Sequence, residues 1–437
     1  MKILYLCHRF PFPPRRGGKI RPFNMIRHLS QRHEVRVVSL VRSAAEAQEG
    51  EGIAKYCAHY SMAMVSGPGQ WLRMIVRLPT STPSSFGYFH SPEMARLVRE
   101  ELAHHDFDLI FVHCSSVARY VEHVANVRKI LDFGDMDSQK WREYARYKAF
   151  PLALGFGLEA RKLEREERRL ARRFDLCTAT TRAEWETLCE FAPDVATDWF
   201  PNGVDSGYFA PTDEPYDTNT IVFVGRMDYY PNQESMVRFC ATTWPMVRAR
   251  RPGAKLLIVG AEPTPAVKRL AEIAGVTVTG SVPDVRPYLR KAALMVAPLN
   301  IARGTQNKIL ESMAMGVPVV TSRVAAGGVD AKEAEHFLVA TTPEEYAAAI
   351  ESIVSDAALR LRLSVAGRER MVSHHAWEGS MRRLDRIIDR TVSRSGLSHG
   401  SAHGPQACGH SERRTVSSVD SGALPRRAST TDMGKGR

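Results

Sequence analysis

Arg303-Gly-Thr-Gln-Asn-Lys-Ile-Leu-Glu-Ser-Met-Ala-Met-Gly-Val-Pro-Val-Val320 reads as a tight glycine turn, a short helix, a Gly316-Val-Pro318 break and a buried strand. Ile309, Leu310, Met313 and Ala314 recur at helical spacing and predict an apolar face. Lys308, Glu311 and Ser312 stand at i, i+3 and i+4 and share the other face. A cation and a carboxylate therefore project together, one turn after a helix N-terminus expected near Gly304. Free backbone N–H groups and the helix dipole make such an end suitable for phosphate. Lys308 adds a point charge for a diphosphate, and Glu311 can accept hydrogen bonds from two sugar hydroxyls. The same residues also read as a solvated Lys/Glu pair on an ordinary helix, so the wider chain has to decide.

Outward from this segment, apolar runs and helical patterns alternate in both halves. In the first half the runs cover 2–6, 34–41, 109–112, 129–133 and 176–179, separated by helical patterns at 22–32, 92–104, 138–147 and 158–173. In the second half they cover 220–224, 255–259, 276–279, 294–297 and 317–321. Such alternation predicts α/β domains with parallel sheets and helices on both faces. Phe200-Pro-Asn-Gly203 is a strong turn signal and marks the expected boundary. A length of 437 residues fits two domains. No apolar run approaches the roughly 18 residues needed to span a bilayer. The apolar part of the first ten residues is too short for a signal peptide and reads as a strand. Seven scattered cysteines without metal spacing suggest reduced thiols in a cytoplasmic protein.

Glu311-Ser-Met-Ala-Met-Gly-Val-Pro-Val-Val320 resembles the donor-site helix of the family 4 glycosyltransferases, which have the GT-B fold. Three further motifs carry the resemblance, in the family's order. They are Pro201-Asn-Gly-Val-Asp205, Val224-Gly-Arg-Met-Asp-Tyr-Tyr-Pro-Asn232 and Gly280-Ser-Val-Pro-Asp-Val-Arg-Pro-Tyr-Leu289. The likeness spans roughly residues 1–390 and is nearest the sugar transferases of bacterial exopolysaccharide clusters, including those associated with PEP-CTERM protein sorting. It implies an N-terminal acceptor-side Rossmann-like domain (1–199) and a nucleotide-sugar-binding domain (200–375). A C-terminal crossover helix (376–392) and a disordered basic tail (393–437) follow. It also implies that Arg226 and Lys308 face the departing diphosphate. Glu311 would hold the ribose. His113, at the end of its strand, would position the sugar. Gly17 and Gly18 would border the phosphates, and Val282 would lie in the base-pocket loop. Gly304 and Thr305 would lie at the donor. These positions form the candidate site, with His113, Arg226 and Lys308 as its catalytic members.

The chain departs from the family pattern twice. The first Glu of the Glu-x7-Glu element is replaced by Arg303, and a second family cation falls at Pro231. An Arg can only donate hydrogen bonds, so Arg303 is expected on a phosphate, with a sugar carboxylate or a structural ion pair as the other roles. Asp135 and Asp137, in Asp132-Phe-Gly-Asp-Met-Asp137, are read as helix caps or acceptor-side groups, with capping favoured. No resident cofactor or metal is expected.

The net charge of +12 is unevenly spread. Residues 1–42 hold ten basic groups, among them Arg15, Arg16, Lys19, Arg21, Arg27 and Arg32, and one acidic group, Glu34. Such a cluster attracts anionic surfaces. With no nucleic-acid motif present, the expected partners are an anionic membrane surface and a lipid-linked or polysaccharide acceptor. The expected location is cytoplasmic, with a peripheral site on the inner face of the membrane. The expected activity is retaining transfer of a sugar from a nucleotide-diphosphate sugar. A nucleotide-sugar epimerase of GT-B type and a non-catalytic nucleotide-sugar-binding subunit are the rivals.

Overall fold

A computed structural model describes residues 1–65 and 67–393. Residues 394–437, and with them the expected disordered basic tail, lie outside the described residues. The first sheet contains β1 (Lys2–Cys7), β2 (Glu34–Val41), β3 (His59–Met64), β4 (Leu109–His113), β5 (Arg128–Gly134), β6 (Leu176–Ala179) and β7 (Thr197–Trp199). All pair in parallel, in the order β3-β2-β1-β4-β5-β6-β7. The second sheet contains β8 (Asp217–Val224), β9 (Lys255–Val259), β10 (Val276–Gly280), β11 (Ala292–Ala297), β12 (Val319–Thr321) and β13 (Leu338–Val339). It is also parallel, in the order β10-β9-β8-β11-β12-β13. The expected pair of Rossmann-like α/β domains is thus present.

Parallel strands covered on both faces are near-continuous apolar runs. That is why the central strands stand out in the sequence. Ile3 through Cys7 and Leu294 through Ala297 are all buried. The three strands that hydropathy misses, β3, β7 and β13, all lie on sheet edges and are only partly buried. Helix Gly17–Leu29 begins five residues before the predicted start at 22, because its two glycines read as loop. Helix Leu152–Ala171 begins six residues before the predicted 158.

After helix Ala357–His374 the chain returns to the first domain. Helix Trp377–Ser393 buries Trp377, Met381, Leu384, Ile387 and Ile388 against Ile3, Tyr5, Met25 and Leu109. Trp377 closes so tightly on the interdomain turn that a Cβ at Gly203 would lie 2.7 Å from its ring. Arg383 and Arg390 both pair with Asp198 in β7.

The domains face each other with the carboxyl ends of their strands, and polar contacts bridge them. Arg303 donates from Nε to Glu143 at 3.0 Å and from Nη1 to Glu184 at 3.3 Å. The Tyr147 hydroxyl donates to the carbonyl oxygen of Asn300 at 3.1 Å. The Lys148 ammonium lies 3.5 Å over the Tyr230 ring.

Leu384→Ala should lower stability by about 2–5 kcal/mol through the cavity it leaves, read as a fall in the denaturant midpoint. Unchanged stability would mean that the last helix does not clamp the first domain. Arg303→Glu would face Glu143 and Glu184 with a third carboxylate. It should cost about 1–3 kcal/mol and enlarge the radius of gyration in solution scattering. An unaltered scattering profile would show that this ion pair does not hold the domains together.

Candidate functional site

In open parallel sheets ligands bind beyond the carboxyl ends of the strands, and both sheets place their sequence-predicted site residues there. The helix expected to hold the donor is Asn307–Ala314. It begins three residues after Gly304, later than expected. Gly304 holds the preceding turn instead, at φ +61°, where its missing side chain matters doubly. A Cβ there would lie 1.7 Å from the Asp135 carboxylate across the cleft. Thr305 presents a buried hydroxyl without a partner among the described residues. Ile309, Leu310, Met313 and Ala314 bury their side chains in the second-domain core, as their spacing predicts.

Lys308 and Glu311 are half-buried on the other face. Nζ of Lys308 donates to the Asn232 side-chain oxygen at 2.6 Å and lies 4.5 Å from the centre of the Phe223 ring. Asn232 is fixed in turn by donating to the carbonyl oxygen of Arg226 at 2.8 Å. Lys308 forms no ion pair within 4 Å among the described residues, and burial pushes it down to about 7. Glu311 is pushed up to about 7 by burial, with Lys308 opposing, and its carboxylate accepts no hydrogen bond among the described residues. A cation and a carboxylate are thus held a turn apart, both still seeking partners. Gly225, which ends the β8 turn, leaves them room, since a Cβ there would stand 3.1 Å from the ammonium.

Arg226 lies at the same wall, but its Nε and Nη2 are taken by Asp228, at 3.0 and 2.9 Å, and by Glu262. Contact with a phosphate would draw on Nη1, which makes none of these bonds, or would displace a carboxylate. Val282 lies in the loop after β10, partly buried against the second core. Asn307, at the head of the donor helix, touches both halves of the chain. Its oxygen accepts from the Asn202 amide at 3.4 Å, and its nitrogen lies 3.8 Å from where a Cβ on Gly17 would be. Gly17 opens the first helix, and a Cβ on its neighbour Gly18 would lie 3.7 Å from Arg9.

His113 ends β4 and is buried. Its Nδ1 hydrogen-bonds Asp132 at 2.7 Å, which turns the other ring nitrogen away from that carboxylate. Asp132 also accepts two bonds from Arg21, both at 2.9 Å, and one from Thr178 at 2.8 Å. Burial alone would raise its pKa, but Arg21 and His113 hold it well below the usual carboxylate range. Asp132 is therefore the group that orients His113. The sequence gives no local sign of this role, because Arg21 lies 111 residues away.

Three other expectations change. Neither Asp135 nor Asp137 caps a helix: helix Asp137–Arg146 has Met136 at its N-cap and no side-chain cap bond. Asp135 instead lies exposed at the cleft, where the surrounding protein and then Glu184 hold its carboxyl above the usual range. Arg303 is committed to Glu143 and Glu184, the ion-pair role rather than the phosphate role. Two members of the N-terminal basic cluster are not surface charge, while Arg15, Arg16, Arg27 and Arg32 stay exposed. Arg21 is buried on Asp132, and Lys19 is buried 2.6 Å from Glu46.

One feature of the first-domain wall has no counterpart in the sequence reading. Arg9, Arg42 and Lys140 converge near His8, and none of their side chains makes a hydrogen bond or ion pair among the described residues. Burial and then Arg42 lower Arg9. Burial and these cations push His8 well down, and its Nδ1 has no partner. Their positions, just beyond β1 and β2 and in the helix after β5, could have suggested this from strand ends alone.

Comparison with known proteins agrees with this geometry. Residues 218–356 match the family described as Glycosyl transferases group 1. The chain is 26% identical over 278 residues to D-inositol 3-phosphate glycosyltransferase of Nocardiopsis dassonvillei, covering 57% of this chain and 63% of that protein. It is 30% identical over 176 residues to the lipopolysaccharide core biosynthesis glycosyltransferase LpsE of Rhizobium meliloti, covering 39% of this chain and 49% of that one. The matches thus span less than two thirds of either relative. Among solved structures, Anabaena HepE in complex with UDP and glucose superposes with a TM-score of 0.66 at 14% identity, covering 89% of this chain and 100% of HepE. Residues 218–356, which match the glycosyl transferases group 1 family, make up most of the second half of a two-domain fold of GT-B type.

Proposed function

We propose that the protein is a retaining glycosyltransferase that moves a sugar from a nucleoside diphosphate sugar to a hydroxyl of a lipid-linked glycan or exopolysaccharide intermediate. The observation that carries this reading is Lys308, a half-buried cation whose side chain hydrogen-bonds a neutral amide and forms no ion pair within 4 Å among the described residues. A buried ion without a counter-charge is costly, and a diphosphate supplies two. Glu311, one turn on, is placed to take the ribose hydroxyls. The solved HepE, similar in fold, holds UDP and glucose.

In this reading the bond from the anomeric carbon to the diphosphate oxygen breaks, and its electron pair stays on that oxygen. Lys308 and Arg226 stabilise the charge where it develops, which is electrostatic catalysis by a prearranged site. The acceptor hydroxyl attacks from the face the diphosphate leaves, and its proton passes to the departing phosphate oxygen. His113, oriented by Asp132, positions the sugar. Arg9, Arg42 and Lys140 offer counter-charge to an acceptor bearing a phosphate. Closure of the cleft excludes water and limits hydrolysis of the donor. No metal takes part, the two cations standing in its place.

Lys308→Met should weaken UDP binding by about 2–5 kcal/mol in calorimetric titration, with the fold intact. Glu311→Gln should raise the dissociation constant for UDP and leave that for inorganic pyrophosphate unchanged. If both variants bind UDP as the parent does, the donor site lies elsewhere. The pH dependence has a definite sign. UDP favours protonated Lys308, whose proton is lost near 7 in the free protein. Affinity should therefore fall by up to about tenfold per pH unit above 7, and Lys308→Met should flatten that fall. Donor turnover without any acceptor would favour the epimerase, and tight UDP binding without turnover the binding subunit.

A further inference from the structure

Two stretches of the first domain hold large apolar side chains out in solvent. On helix Pro68–Val76, Trp71, Leu72, Ile75 and Val76 are each more than half exposed, as is Leu78 just beyond. Leading into helix Leu152–Ala171, Phe150 is 83% exposed, and Leu152 and Leu154 are more than half exposed. The stretches are neighbours. Lys162 donates to the carbonyl oxygens of Leu78 and Arg77, at 2.7 and 3.3 Å. Glu159 accepts from the backbone and the hydroxyl of Ser85, at 2.9 and 3.1 Å. An exposed apolar surface of this extent marks an interaction site rather than ordinary surface.

Charge identifies the occupant. Residues 67–92 contain no Asp or Glu, and neither do residues 144–158. Between them they carry Arg73, Arg77, Arg146 and Lys148. Apolar side chains on stretches that carry cations and no acidic residue suit a bilayer interface with anionic headgroups. A second copy of this chain docked on the same face would set arginine against arginine with no carboxylate between them, which disfavours self-association. The patch also borders the cleft, since Tyr147 within the second stretch reaches Asn300 of the other domain.

We propose that residues 67–78 and 146–158 form a membrane-docking surface that inserts its apolar side chains into an anionic bilayer interface and sets the cleft mouth beside it. This moves the membrane contact away from the first loop and helix, where the sequence places it. Binding to vesicles is read without donor or acceptor, so it stands apart from the transfer reaction.

The full chain should co-sediment with phosphatidylcholine vesicles containing phosphatidylglycerol, and far less with phosphatidylcholine alone. Leu72→Asp with Ile75→Asp, and separately Leu154→Asp, should each lower the partition coefficient at least about tenfold. Arg73→Gln with Arg77→Gln should remove most of the salt sensitivity. UDP affinity should be unchanged in all of them, which certifies the fold. Vesicle binding by the aspartate variants equal to that of the parent would overturn the proposal. So would equal binding to neutral and anionic vesicles, or a dimer in the parent that the aspartate variants dissociate.

Discussion

Asp132 lies fully buried at the end of the central first-domain sheet and stays ionised because four donor groups close around it. Arg21 supplies two of them and reaches on to the carbonyl oxygen of Phe200 and the side chain of Asn202. Its guanidinium also lies 3.7 Å from the centre of the Phe200 ring. One carboxylate thereby ties the first helix, the sheet, the cleft histidine and the turn between domains. Removing one partner of such a pair leaves a buried uncompensated charge, worth about 3–5 kcal/mol. The site histidine is held by the same interaction that joins the domains, so its orientation and the cleft geometry are not independent.

The opposite wall works on a contrary principle. Lys308 and Glu311 are half-buried with little to satisfy them, and burial draws both towards neutrality near pH 7. The second domain can carry this strain because the rest of the donor helix is an ordinary core helix, anchored by Ile309, Leu310 and Met313. A ligand that brings both anionic and hydroxyl groups relieves it. Binding energy is thus stored where the chemistry would use it, while Asp132 on the first-domain wall has its partners built in.

The sequence shows whatever is local. The central strands appear as apolar runs because they are covered on both faces, and the donor helix declares its apolar and polar faces by spacing alone. Edge strands β3, β7 and β13 lack that covering and so lack the signal. What stays hidden is set by distant contacts. Arg303 finds Glu143, 160 residues away, and becomes a link between domains. Arg21 and Lys19 look like surface charge in a run of ten cations but are buried, each paired with a carboxylate. Helix Pro68–Val76 escapes the sequence reading altogether, and the exposure of its apolar residues shows only in the fold.

The central claim is that Lys308, brought by burial to about its titration midpoint at neutral pH, waits for a diphosphate. Nitrogen NMR titration of its ammonium, with and without UDP, tests this directly. The account predicts a pKa near 7 in the free protein that rises by at least about one unit when UDP binds. An ordinary lysine value in the free protein, or a titration that UDP leaves unmoved, would contradict it.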